Sequence, residues 1–318
     1  MTDDISGEVA IVTGASRGLG LALARELGQR SARLVICARS ADALNEAAAD
    51  LRASGAEVTA VPCDLRDPEA AALLVDTAIR AYGRLDIVVN NAGIIQVGPV
   101  RDAEFADFQA AVDTMALAPV RLTLTALPVM RRQGHGRIVT VTSLGGKISV
   151  PHLLPYCTAK FAAVAFSEGL RAELGAGPVS VTTAVPGLMR TGSHLRALFR
   201  GQREKEFTWF SLGAALPLVS MDASRAARRI VSAMCDGQAE VILTPTAQVV
   251  ARTAGIFPGL TIRLLRAFAA TLPRSPQTAG PGPELSEGRH LRPAIPQGLF
   301  DRVTALARTA ARRLNETS

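Results

Sequence analysis

Val9-Ala10-Ile11-Val12-Thr13, followed by Gly14-Ala15-Ser16-Arg17-Gly18-Leu19-Gly20, is the stretch that decides the fold. Five apolar or β-branched residues read as a short strand, three glycines as a tight turn, and the Ala/Leu/Arg segment from Leu19 to Gln29 as a helix. Glycine lets a backbone approach an anion closely, and a helix N-terminus offers free N–H groups with a partial positive charge. The spacing is G-x-x-x-G-x-G, which shares the mechanism of the G-x-G-x-x-G dinucleotide fingerprint but not its letter. By itself the turn could also serve only helix packing.

The same alternation continues along the chain. Strands are expected at Val9 to Thr13, Arg33 to Cys37, Glu57 to Val61, Ile87 to Asn90, Arg137 to Thr142, Ser180 to Val185 and Glu240 to Leu243. Helices of roughly Leu19 to Gln29, Ala41 to Ala53, Pro68 to Tyr82, Ala103 to Gln133, Tyr156 to Leu174 and Asp222 to Cys235 lie between them. That order implies βαβ units: an α/β, doubly wound parallel sheet of the Rossmann type with about seven strands and a C-terminal extension. Residues 1–272 read as one domain. Within it, Gly192 to Ser220, with Phe207, Trp209 and Phe210, is long for a strand-to-helix loop and reads as a lid over a pocket (192–220). Residues 273–298 are Pro/Gly-rich and read as a linker, and 299–318 as a short basic amphipathic helix and tail.

Composition narrows the function. The chain has 318 residues, 48% hydrophobic and 20% charged, enough for one large core without disulfides or metals. Cys37, Cys63, Cys157 and Cys235 form no C-x-x-C pair, so reduced thiols and no metal site are expected. Asp3 and Asp4 and the lack of an early apolar run argue against a secretory signal, so a cytoplasmic location is expected. The net charge of +7 comes from scattered arginines with only 4% aromatics, which argues against nucleic acid as partner. The most membrane-like region, Thr246 to Leu272, is broken by Arg252, Pro258, Arg263 and Arg266, so a spanning helix is not expected.

At the end of the second strand, where an acid would hold the ribose 2′-hydroxyl of NAD, the chain reads Cys37-Ala38-Arg39-Ser40. Arg39, helped by Arg17, can pair with a 2′-phosphate, which favours NADP(H) over NAD(H). Two solvated arginines are the alternative. Only two tyrosines and three lysines occur, yet Tyr156 and Lys160 stand four apart at a helix start, on one helical face. An ammonium beside a phenol is expected to lower the phenol pKa toward working pH. Ser143, thirteen residues earlier, ends the fifth strand at the edge where open α/β sheets bind ligands, and can hold a substrate oxygen.

Together, T-G-x-x-x-G-x-G at 13–20, N-N-A-G at 90–93, Ser143, Y-x-x-x-K at 156–160 and P-G at 186–187 resemble the short-chain dehydrogenase/reductase family of the classical type, over about residues 5–245. The resemblance implies catalytic Ser143, Tyr156 and Lys160. It implies a nucleotide held by Gly14, Ser16, Arg17, Gly18, Leu19 and Gly20, with Arg39 at the 2′-phosphate. Asp64 would contact the adenine and Asn90 the adenosine side, with Leu65, Ala92 and Gly93 among the other cofactor-binding residues. Tyr156, Lys160, Pro186, Gly187 and Thr191 would lie at the nicotinamide end. The reaction implied is hydride transfer between nicotinamide and the carbonyl or secondary alcohol of a small apolar substrate, in a homodimer or homotetramer.

One position departs from the pattern. The family's proton-relay asparagine falls at Met115, which neither donates nor accepts strongly. Asp113, Thr114 or a water chain could substitute; alternatively the protein is a weakly active or redox-silent NADP-binding sensor or scaffold. The terminal helix is a candidate for peripheral membrane contact, with docking on the protein's own surface as the alternative.

Overall fold

A computed structural model describes residues 4–215, 220–274, 285–298, 300 and 304–316. Its centre is a seven-stranded, all-parallel sheet. The strands are β1 (Val9–Thr13), β2 (Arg33–Ala38), β3 (Val58–Pro62), β4 (Ile87–Asn90), β6 (Gly136–Val141), β7 (Val179–Val185) and β11 (Glu240–Ile242), in the spatial order β11-β7-β6-β4-β1-β2-β3. Period-two alternation explains how so apolar a strand serves both faces. Ala10 and Val12 of β1, with Leu34 and Ile36 of β2, pack under α1 (Gly18–Gln29), α2 (Ala41–Ala53) and α9 (Ala223–Cys235). Val9 and Ile11, with Val35 and Cys37, pack on the other face under α3 (Ala70–Tyr82) and α5 (Ala118–Gln133). α6 (Leu154–Leu174) completes that layer through Leu170 and Leu174.

The strand order reverses beside β1, with β2 on one side and β4 on the other. Open α/β sheets bind ligands at such a switch point, outside the carboxyl ends of the strands. The glycine turn after β1 and the Asn90–Gly93 turn after β4 therefore meet there.

Three regions depart from the sequence expectation. The single crossover helix expected from Ala103 to Gln133 is α4 (Phe105–Val112) and α5 joined by a π-helical turn, Asp113–Leu117. Such a turn holds an extra residue and rotates the faces of the helix beyond it, which no period count reveals. This stretch has the length and mean hydropathy (1.3) of a membrane-spanning helix, but half of the window is buried inside the fold.

The expected lid is a packed lobe. β5 (Gln96–Val97), β9 (Leu198–Phe199) and β12 (Ser286–Glu287) form a small sheet, beside α7 (Ser193–Arg196) and α8 (Arg203–Ala215). β8 (Leu188–Arg190) and β10 (Ser220–Asp222) bracket it as a parallel pair. Phe207 and Phe210 are buried in this lobe's own core with Val97, Phe199 and Phe300, so they do not line an open pocket. Part of the expected linker also folds: β12 pairs antiparallel with β9. Residues 275–284 and Leu299 and Val303 lie outside the described residues.

The terminal helix α12 (Ala305–Arg313) docks on the protein itself, burying Ala307, Ala310, Ala311 and then Leu314. Ala310 and Leu314 of its expected apolar side thus pack on the fold, the alternative to a membrane contact, while Leu299, Val303 and the Leu306 side chain lie outside the described residues. Two helices not anticipated as such, α10 (Pro245–Ile256) and α11 (Pro258–Ala269), occupy the region that reads as membrane-like.

Gly20 tests the tightness of the first turn. A Cβ there would collide with the Gly14 carbonyl and stand 2.5 Å from Asn91 Nδ2. Gly20→Ala is expected to lower stability by about 1–3 kcal/mol, the usual cost of overpacking. Gly169→Ala, in open space on α6, is expected to be neutral or stabilising by up to about 1 kcal/mol. Urea denaturation of both variants checks this; an unchanged midpoint for Gly20→Ala contradicts it.

Candidate active site

Thr13 organises the cofactor end. Its hydroxyl donates to Val89 O (3.2 Å) and accepts from Asn91 N (2.8 Å) and Ala92 N (3.1 Å). The Asn91 amide returns the bond to Thr13 O at 2.9 Å. Gly14 adopts φ +65°, and a Cβ on it would be 2.8 Å from Ala92 Cα, so the two turns touch backbone to backbone. Gly18 adopts φ +58° at the start of α1. α1 has no side-chain cap and no acid in its first turn, which leaves its positive end for an anion. These are the features a dinucleotide pyrophosphate needs.

An anion of the chain itself lies at that end. Gly18 N donates to Leu314 O (2.9 Å), and a Cβ on Gly18 would be 2.6 Å from Glu316 Oε1. Glu316 also packs against Gly192, directly after Thr191. Burial pushes its carboxyl up to about 7, with Arg17 and Arg196 pulling the other way. The crevice expected to lie open is therefore covered at its centre by the C-terminal segment.

Around it, Ser16 and Leu19 are buried in the turn, and Arg17 is half-buried. Arg39 is exposed at the end of β2 with no acid on that strand end. Asp64 is gripped by Arg66 (2.6 Å), which holds it down to about 2. Thr13, Leu65, Asn90, Ala92 and Thr114 line one shallow recess. Asn90 donates to Thr123 on α5 at 3.1 Å, while Asn91 makes the bonds that fix the glycine turn. Asn91, part of the N-N-A-G motif at 90–93 but given no role of its own from sequence, is thus the residue that holds the glycine turn in place.

At the chemical end, Ser143 follows β6 and its Oγ accepts from Gly145 N at 3.0 Å. Gly145 and Gly146 form the seat for α6. A Cβ on Gly145 would lie 3.0 Å from Tyr156 Cε1, and one on Gly146 2.7 Å from Lys160 O. Small residues here let the tyrosine approach the serine. Ser143 hydrogen-bonds Tyr156, which lowers the phenol pKa, but burial dominates and pushes it up to about 12. Lys160 Nζ donates to Val141 O (2.8 Å) and lies 5.8 Å from the Tyr156 ring centre. Burial brings Lys160 down to about 8. The expected lowering of the phenol pKa by the ammonium is therefore not what the structure has. Desolvation disfavours both charges, and the ammonium is spent on a carbonyl rather than on the phenolic oxygen.

The residues expected on the nicotinamide side follow β7 and β8. Pro186 O accepts from Leu144 N (2.8 Å), tying that loop to the serine turn, and Gly187 lies against Thr244. Thr191 is buried, and its Oγ1 accepts from Ser193 N at 3.2 Å. Met115 is buried against Ala111, Ala159 and Tyr156, with its sulfur 3.2 Å from where a Gly93 Cβ would stand. It is a packing residue at the π-helical turn. A second cluster carries no sequence signal: His152 Nδ1 pairs with the buried Glu206 (2.9 Å), which also accepts from Trp209 Nε1 (2.6 Å). His152 holds φ +65° four residues before Tyr156, so this cluster pins the loop before Tyr156 to the lobe.

Known proteins share this sequence pattern and fold. The chain belongs to the short chain dehydrogenase family, whose sequence profile matches residues 8–198. It is 37% identical over 200 residues to dehydrogenase/reductase SDR family member 7B of Bos taurus, covering 61% of this chain and 62% of that one. It is 34% identical over 267 residues to SadH of Mycobacterium tuberculosis, named as an oxidoreductase, covering 83% and 96%. L-sorbose reductase of Gluconobacter frateurii, solved with NADPH and L-sorbose, superposes with TM-score 0.69 at 27% identity, covering 77% and 97%. A short-chain dehydrogenase/reductase of Burkholderia phymatum, solved with NAD, shares the fold at TM-score 0.74 and 24% identity, covering 87% and 100%.

Lys160 carries a pH signature in stability. Its folded pKa, about 8, lies below the ordinary 10.5. The folded state therefore binds fewer protons than the unfolded state between these values, and burying the charge costs stability fully below pH 8. That cost fades as pH rises to 10.5. Lys160→Met is expected to exceed the wild type in unfolding free energy at pH 7, with the gap closing by pH 10.5. A gap that stays constant with pH in urea denaturation contradicts it.

Proposed function

We propose that the protein is an NADP(H)-dependent oxidoreductase interconverting a carbonyl and a secondary alcohol on an apolar substrate. The observation that carries the reading is the assembly of Ser143, Tyr156 and Lys160 at the carboxyl edge of the sheet, seated on Gly145 and Gly146. The residues present fit a nicotinamide dinucleotide: two glycines at positive φ, touching backbones and an uncapped helix end already facing a carboxylate. When bound, the reduced nucleotide supplies a hydride. Ser143 holds the substrate oxygen. Tyr156, kept protonated by burial, gives that oxygen its proton, with the Lys160 ammonium held on Val141 O 5.8 Å from the phenol ring centre. Ile94, Val112 and Met115 around Tyr156 give the reacting region apolar walls.

Preference for NADP(H) rests on Arg39, exposed at the end of β2, which carries no acid of its own, with Arg17 beside the turn; Asp64, the acid Arg39 also attracts, is held mainly by Arg66. The NADPH held by the sorbose reductase at 27% identity supports this reading. A homo-oligomer is supported by exposed Phe105, Leu117, Leu124 and Phe161 on the α4–α5–α6 layer.

Tyr156→Phe is expected to lower NADPH-coupled turnover of ketones by at least about 100-fold, the usual worth of a general acid, with nucleotide affinity within a factor of about two. Full activity dismisses the role. Arg39→Asp is expected to weaken NADPH binding at least about tenfold while sparing NADH. Titration calorimetry reads the ratio, and an unchanged ratio overturns the preference.

A further inference from the structure

The helical pair α10–α11 has a surface at odds with a purely aqueous setting. Val249, Ile256, Phe257, Leu260, Ile262 and Leu264 are 49–69% exposed, a density of bare large side chains unmatched elsewhere among the described residues. Val249, Arg252 and Ile256 share one side of α10, and Leu260, Leu264 and Phe268 one side of α11. Arg252, Arg263, Arg266 and Arg274 are exposed among them, and no Asp or Glu occurs from Val241 to Pro283.

We propose that α10–α11 is a docking surface for an anionic lipid membrane. Apolar side chains interleaved with arginines, with no acid nearby, match an acyl boundary below acidic headgroups. A second copy of the chain fits less well. A two-fold interface on this face would bring arginines against arginines with no carboxylate between them. The surface also reaches the lobe over the active site: the Phe268 ring stands edge-on to Trp209 at 6.4 Å. An apolar substrate leaving the bilayer would therefore arrive beside His152, in the loop just before Tyr156 on α6.

The test is co-sedimentation of the full chain with vesicles of phosphatidylcholine alone and with added phosphatidylserine. Pelleting is expected with the anionic vesicles and should fall with salt. It should be lost in Ile256→Glu/Leu260→Glu and reduced at least fivefold in Arg263→Glu/Arg266→Glu, both with wild-type melting curves. Absence of pelleting, or equal pelleting with both vesicles, overturns the proposal. So does a dimer in solution that Ile256→Glu/Leu260→Glu dissolves, which would assign the face to self-association.

A separate observation carries a second inference, resting on the nucleotide reading above. The geometry points to Leu314–Glu316 as a tethered competitor of the dinucleotide pyrophosphate. Leu314 O takes the Gly18 N–H, and the Glu316 carboxylate lies between Gly18 and Gly192, with Arg17 and Arg196 near it. Both glycines would clash with Glu316 if they carried a Cβ, so the segment fills the space their small size leaves. The segment is anchored by Arg25 donating to Arg313 O (2.8 Å). Nucleotide binding must displace it, because two anions cannot share that helix end.

NADPH affinity by calorimetry and trypsin cleavage at Arg312 and Arg313 read this directly, apart from turnover. Glu316→Ala is expected to bind NADPH at least fivefold tighter, and saturating NADPH to speed cleavage at these arginines in the wild type. Equal affinity with unchanged or slower cleavage overturns the competitor role. Failure of both wild type and Glu316→Ala to bind NADPH would instead sink the nucleotide reading itself.

Discussion

Everything at the functional edge depends on two backbone turns being allowed to touch. The turn after β1 and the turn after β4 meet where the strand order reverses, with Gly14 against Ala92 and Gly20 against Gly14 and Asn91. Any side chain at Gly14 or Gly20 would part them. Thr13 and Asn91 then lock the contact by hydrogen bonds, which fixes the start of α1 and the orientation of its positive end. The sheet supplies rigidity, since its strands are packed on both faces. The same device recurs at the chemical end, where Gly145 and Gly146 let α6 sit close enough for Tyr156 to reach Ser143.

Most of the central sheet is legible in the sequence because each strand is a short β-branched run between helical segments of clear period. The edges of β1 and β4 agree with the expected bounds, and those of the other five main strands lie within one residue. That Tyr156 and Lys160 lie together is legible because two rare residue types stand at a helical spacing. The hidden features have a common cause: they depend on contacts between segments far apart in the chain. The aromatics of Phe207 and Phe210 look like pocket lining until Phe300, some ninety residues away, is placed on them. The terminal helix looks amphipathic and unpartnered until α12 is seen on the protein's own surface. The phenol pKa escapes the sequence because spacing says that two side chains share a face, not which atom the ammonium chooses.

The accessory parts share a logic of access. The lobe closes over the loop before Tyr156 through the His152–Glu206–Trp209 cluster, and α11 leans on the same tryptophan. The C-terminal segment covers the opposite end, where Glu316 packs against Gly18 and Gly192. The short-chain dehydrogenase core thus carries additions at both ends of its crevice, the lobe with α11 beside the loop before Tyr156 and the C-terminal segment on the glycine turn.

The most direct measurement is a crystal structure grown with NADPH. The account predicts the pyrophosphate over Gly18, Leu314–Glu316 displaced, and the nicotinamide ring within contact of the Tyr156 hydroxyl. Nucleotide bound elsewhere, or a phenol turned away from the ring, would contradict it.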